Sequence, residues 1–245
     1  LSFEDRQNFL IGNGLFRKLW VAAPSSTAAS DGLGPLYNSR ACQSCHIKDG
    51  KGHLPNQEKP LSLVIKTGIY DKIKLIPDLN YGKQFQFFAV PGLSSEVTGK
   101  IIKKKYVRSL INNFSHKTHS IKFDISKLNY GEFNKKNALS LRVSPQVYGV
   151  GLLNSIEDSD ILVKNDPNDL NNDGVSGIAR KVLDENGVTQ IGRFGIRAST
   201  PNLFVQTGVA FMHDMGISNV VGPNAFGDCT KSQTNCYKFN TGVNE

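Results

Sequence analysis

A chain of 245 residues with 39% hydrophobic side chains can bury a sizeable core, which excludes a disordered polymer and leaves one large domain or two small ones. The formal charge of +8 comes with lysines along the whole chain and a local run at Lys103-Lys104-Lys105. These are not interleaved with stacking aromatics, so no nucleic-acid partner is expected, and no apolar run is long enough to predict a membrane span.

The first predicted element is a core-facing helix from Phe3 to Val21, where Phe9, Leu10, Leu15, Phe16, Leu19 and Trp20 recur at helical spacing and Pro24 stops continuation. Asp31 to Asn38 is a glycine-rich turn without a phosphate-loop pattern. There follows Cys42-Gln43-Ser44-Cys45-His46, a complete C-x-x-C-H. Two thiols at this spacing can form thioethers to the two vinyl groups of one haem while the adjacent imidazole takes the iron. Cys42 and Cys45 are therefore candidate covalent haem attachments and His46 a candidate axial ligand. Half a zinc site or a redox dithiol are the alternatives; the first needs a second ligand pair and the second a preceding strand. The glycine-rich turn just before the motif reads either as an ordinary turn or as one that lets backbone approach the haem ring.

From Leu61 to about Lys127 alternating and β-branched runs predict strands, among them Leu61-Ser62-Leu63-Val64-Ile65-Lys66, Gln84 to Val90 and Ser120 to Ile125. Beyond Ser144 the pattern returns to helix and loop. Val147 to Ile156 reads as apolar and buried, and a helix from Ser159 to Asn165 should end at Asp166-Pro167. Asp169, Asn171 and Asp173, followed by Gly174, resemble the first half of a calcium-binding loop, although Arg180 stands where such a loop carries its bidentate glutamate; a plain Asx-rich turn is the alternative. Near the end, Cys229 and Cys236 bracket six polar loop formers and read as a local disulfide. A stable disulfide and an attached haem both point to an oxidising compartment, so a periplasmic location is expected.

Together these segments predict an α+β fold: a cytochrome-c-like helical haem domain, formed by residues 1–58 and 141–245, interrupted by a β-rich insertion at 59–140.

The segment Gly32 to His46 resembles the opening signature of the di-haem oxidoreductase, putative peroxidase family, also labelled thiol oxidoreductases and similar in plan to di-haem cytochrome c peroxidases. So do Gly149-Val150-Gly151-Leu152-Leu153, Asn172 to Gly177, Gly192-Arg193-Phe194-Gly195, Asp214 to Ser218 and the late cysteine pair, in matching order along nearly the whole chain. The resemblance implies a periplasmic c-type haem oxidoreductase of a di-haem protein, reducing peroxide with electrons from a redox protein; a non-catalytic electron-transfer module is the alternative. With a single C-x-x-C-H before Glu245, the chain is read as a fragment lacking the second haem motif. The family-like Asp214-Met215-Gly216 turn makes Met215 the preferred second axial ligand, ahead of Met212, His213 and His53. Where the family pattern places a glutamate after the Gly-Leu-Leu stretch, this chain has Asn154, which cannot relay a proton by ionising, and Glu157, one helical turn on, is the candidate substitute. Arg193 and Arg197, around Phe194, are candidates to pair with haem propionates or to polarise the site. The basic surface reads as solvated or as a docking face for an acidic redox partner.

Overall fold

The structure, a computed structural model, describes residues 2–54, 62–71, 74–109, 115–134 and 136–239, by backbone alone at 70–71, 74–75, 105–109 and 115–119. The start of the strand-rich run at Leu61 and the expected boundary at residue 59 lie outside the described residues.

The chain opens with α1 (Phe3–Arg17), whose start is set by a capping box: the Ser2 hydroxyl accepts from the Asp5 amide while the Asp5 carboxylate accepts from the Ser2 amide. The helix stops four residues short of Val21, because the Trp20 amide donates to the Arg40 carbonyl, the Arg40 side-chain Nε donates back to the Trp20 carbonyl, and Val21 enters the short parallel pair β1 (Val21–Ala22) and β2 (Asp31–Leu33). None of its residues is buried, and Phe3, Phe9, Leu10, Ile11 and Leu15 are exposed, which overturns the expectation of a core-facing helix. Three consecutive apolar residues, Phe9 to Ile11, spread over about 200° of the helix surface, so no single packing face can cover them. Next, β3 (Leu36–Tyr37) leads into α2 (Cys42–Cys45), a single turn that carries the cysteine motif.

The main core lies in the strand-rich part. In β4 (Leu63–Asp71), Leu63, Ile65 and Thr67 are buried while Val64 and Lys66 are half-buried, the period of two expected of a strand with one face inward. β4 is the middle of a three-stranded antiparallel sheet, flanked by β5 (Lys74–Ile76) and a later strand described below. β6 (Phe88–Ala89) pairs with β3 and so ties the cysteine motif's leading segment to this part. β7 (Val97–Ser109) and β8 (Ser115–Leu128) form a long two-stranded ribbon, and β9 (Asn137–Val143) closes the sheet beside β4. Leu63, Ile65, Tyr81, Phe85, Val97 and Phe123 make the buried cluster, with Ile101 and Ile125 from the ribbon's root packed against it.

The last third is built from short pieces: α3 (Val150–Asn154), α4 (Asp158–Leu162), the hairpin of β10 (Lys181–Leu183) and β11 (Thr189–Ile191), then α5 (Leu203–Met215) and α6 (Thr234–Tyr237). Tyr148, Leu152 and Ile156 are exposed, so the stretch expected to be buried from Val147 to Ile156 is not. α5 is capped by Asn202, whose side chain accepts from the Val205 amide, and closed by left-handed Gly216. Cys229 and Cys236, 6.0 Å apart at Cα, are joined as a disulfide and pack with Leu36 into a second small core.

The expected cytochrome-c-like helical domain is not what the chain forms. Among the described residues only α1 and α5, of 15 and 13 residues, exceed three turns; the other helices are one turn or slightly more. Glycine, proline and Asx residues interrupt the apolar periodicity everywhere else, and the larger core sits between strands. The result is a mixed, strand-rich fold of small sheets. Among the described residues no helix is long and apolar enough to cross a membrane.

Candidate functional site

The cysteine motif opens onto an apolar cavity of about 580 Å³, within the range of ligand pockets, which run from about 300 to about 1,000 Å³. Cys42 and His46 lie in its wall, faced by Phe16 from α1, Val147, Val150 and Leu153 around α3, Phe194, and Phe211 from α5. Residues of α1, α3 and α5 thus line the cavity together with the one-turn α2 that carries the motif.

His46 is held by a hydrogen bond, with the Phe16 ring tilted beside it at 6.2 Å between centroids. Its Nδ1 lies 2.7 Å from the Pro145 carbonyl oxygen, and since a carbonyl only accepts, Nδ1 carries a proton, which makes Nε2 the nitrogen through which the neutral ring can bind a metal. Holding one imidazole nitrogen in this way fixes ring and tautomer for a metal on the other. Cys42 and Cys45 are not paired with each other. Burial pushes each thiol up to about 11; the Asp214 carboxylate adds to this, while for Cys45 the Ser39 and Ser144 hydroxyls pull the other way. A redox-active dithiol needs a lowered thiol pKa, so the environment disfavours thiol-exchange chemistry.

Arg193 also lines the cavity. Its guanidinium is 11% exposed, forms an ion pair with Asp158 and donates to the Ile156 carbonyl. Phe194, 5% exposed, lies beside it. Arg197 is exposed and outside the cavity lining, with its carbonyl accepting from Arg180. Glu157 is exposed at the N-cap of α4 and not in the lining, and the Asn154 side chain accepts from the Leu203 amide at the start of α5.

The four candidates for a second axial ligand lie away from the lining. Met215 is 2% exposed and its carbonyl accepts from the Gly34 amide. Met212 packs against Gly222, His213 Nδ1 contacts Asp228 at 2.8 Å, and His53 is exposed. Asp169, Asn171 and Asp173 form an exposed Asx-rich turn whose side-chain oxygens accept from the backbone amides of residues 173–175. Among the described residues no group of three or more histidine, cysteine, aspartate and glutamate side chains is arranged to hold a metal ion.

Sequence reasoning did not pick out Pro145, Asp158 or the network behind the motif. In that network Gln84 donates to Asp214, and Gln86 to both Asp228 and the His213 carbonyl, while Asn38 and Ser39 donate their amides to the Asp214 carbonyl. A carbonyl acceptor has no side-chain signature, and nothing in the local sequence marks Asp158 above its neighbour Glu157 as the partner of Arg193.

Measured against known families, the profile of the di-haem oxidoreductase, putative peroxidase family matches residues 1–91 and 96–244. The chain belongs to that family. Neither the curated proteins nor the solved structures compared with it gave a match. Membership in a di-haem oxidoreductase family implies haem binding and peroxidase-like redox chemistry, and the site's own residues fit the group. The apolar cavity has Cys42 and His46 in its wall, with the imidazole held through Nδ1 so that Nε2 is the nitrogen left for a metal; Cys45, one helical turn on from Cys42 and not bonded to it, lies outside the lining.

Proposed function

We propose that the chain is a periplasmic, peroxidase-like oxidoreductase that carries a c-type haem in the cavity at its C-x-x-C-H motif. The observation that supports this most is the hydrogen bond from His46 Nδ1 to Pro145, which holds the imidazole of the attachment motif as a metal ligand inside an apolar pocket. Cys42 and Cys45 would hold the group covalently and His46 its iron. When bound, that group supplies the redox-active iron for reducing a small oxidant such as peroxide, at two electrons and two protons per peroxide converted to two waters. The protein's part is to exclude bulk water with Phe16, Phe194 and Phe211 and to present a fixed cation, Arg193, at the wall. That none of Met212, Met215, His213 and His53 lines the cavity supports an open position for the oxidant rather than a purely electron-carrying module. The Cys229–Cys236 disulfide supports export to an oxidising compartment.

The test is expression in the periplasm with a c-type maturation system, read by haem staining after denaturing electrophoresis and by absorption spectra. The wild-type chain should carry covalent haem with a high-spin component that shifts on adding a small ligand. Replacing both Cys42 and Cys45 by alanine should abolish the stain, and His46→Ala should keep covalent haem but change its ligand-field spectrum. A wild-type chain without covalent haem would overturn the proposal.

A further inference from the structure

All but one unit of the net charge lies in one pair of strands. Residues 97–128, the span of β7 and β8, hold eight lysines and arginines against a single acidic residue, Asp124, a net +7 of the chain's +8. Elsewhere lysines and arginines are balanced almost one for one by carboxylates.

The ribbon pairs with no other described strand, so it projects from its root. At the root, Ile101 and Ile125 pack on the core around buried Phe123. The register sets Lys100 opposite Asp124, Ile102 opposite Lys122 and Lys104 opposite Ser120, so Lys100, Lys104 and Lys122 share the face turned away from Phe123, and all three are exposed. The root also adjoins the haem-attachment segment. Phe123 meets Phe87 edge-on at 5.4 Å, the Phe87 amide donates to Asn38 Oδ1 at 3.1 Å, and Asn38 stands four residues before Cys42.

We propose that the β7–β8 ribbon is a docking arm that steers an acidic redox protein to this oxidoreductase, an inference that rests on the redox function proposed above. Clustered positive charge of this kind raises encounter rates with an acidic partner by about 10- to 1,000-fold at low salt. Among its described residues the ribbon exposes no large apolar side chain that would enter a bilayer and no aromatic on which a base would stack, which favours a protein occupant over lipid or nucleic acid.

The experiment uses the full haem-loaded chain and, as probe, an acidic plant-type ferredoxin. Binding is followed by calorimetry and electron transfer by stopped flow, from about 20 mM to about 500 mM salt, a range over which the screening length shortens several-fold. For the wild type the second-order rate constant should fall by about ten-fold or more across that range. The Lys100→Glu, Lys104→Glu, Lys122→Glu triple variant should lose about ten-fold at low salt and most of the salt dependence, while its circular dichroism and its reduction by neutral hydroquinone match the wild type. Equal ferredoxin kinetics and affinity in the two proteins would overturn the proposal. So would a loss confined to binding of phosphatidylglycerol vesicles, which would make lipid the occupant. A variant that only self-associates, with ferredoxin affinity unchanged, would also overturn it, because the lysines would then only guard open strand edges. A chain that takes up no haem refutes the redox reading alone, since the calorimetric titration does not depend on electron transfer.

Discussion

Arg193 is the cavity residue whose surroundings make the sharpest claim. Two different partners hold it, the Asp158 carboxylate and the Ile156 carbonyl, so the guanidinium is fixed in place at the wall without filling the pocket. Arg193→Ala should cost about 1–2 kcal/mol in unfolding free energy through the lost hydrogen bonds, and should weaken peroxide turnover beyond what that destabilisation explains. Arg193→Lys keeps the charge but not the fork, and should recover stability better than turnover. Asp158→Asn separates positioning from charge: if Asp158 acts by orienting Arg193, the variant should shift the haem absorption spectrum, whereas a purely structural pair would change only the melting temperature. Glu157→Gln tests the remaining carboxylate at this edge, and a proton-relay role requires slower peroxide turnover with an unchanged spectrum.

At the scale of elements, the cysteine motif is positioned by backbone against backbone. The turn before β3 meets the end of α5 at Gly34 and Gly216, and a methyl group on Gly34 would collide with the Gly216 carbonyl. Gly216 has φ +66, and a Cβ there would come 2.7 Å from the Leu36 carbonyl oxygen. The glycine-rich turn thus serves the contact with α5. Gly34→Ala should cost about 1–3 kcal/mol, as overpacking does, and should lower the yield of covalent haem in parallel with the melting temperature, measured on the same preparations. The elements were unevenly legible beforehand. Leu63 and Ile65 alternating with Val64 and Lys66 reveal β4 from local period alone, and the spacing of Cys42, Cys45 and His46 carries its chemistry on its face. The helices misled, because apolar residues such as Phe9 to Ile11 fit a helical period without sharing a face, and one-turn pieces such as α2 and α3 are set by tertiary contacts. The Pro145 carbonyl and the Gln84 and Gln86 side chains meet their partners at the motif and behind it across 99 or more residues of sequence, which no local pattern can show.

For the molecule as a whole, Glu96 couples folding to pH. It is fully buried, with its carboxylate accepting from the Gln86 amide and the Gln233 side chain, and so joins the strand-rich part to the disulfide loop. Burial, with Asp228 adding, holds its carboxyl well above the ordinary 4.5 despite those two hydrogen bonds. The folded state therefore keeps a proton that the unfolded chain releases above that value. The stability this contributes is fully present below pH 4.5 and is lost as pH rises through the folded value. Melting temperatures from about pH 4 to about pH 9 should show the wild type declining across that window. Glu96→Gln should flatten that segment, with a pH-independent offset of about 1–2 kcal/mol from the mismatched amide.

The contact between His46 and Pro145 also has a bearing on biogenesis. The carbonyl that sets the imidazole tautomer is made 99 residues after the histidine, and it reaches the ring only when β4 and β9 have paired and brought the two ends of the sheet together. If the haem is attached as proposed, its two thioethers involve only Cys42 and Cys45 within one five-residue motif, whereas the imidazole of the same motif takes its partner from the far side of the sheet. On that proposal, ligation by a properly held imidazole depends on the long-range contact while attachment does not, so in a maturing population the colour of the attached group would act as a clock for folding.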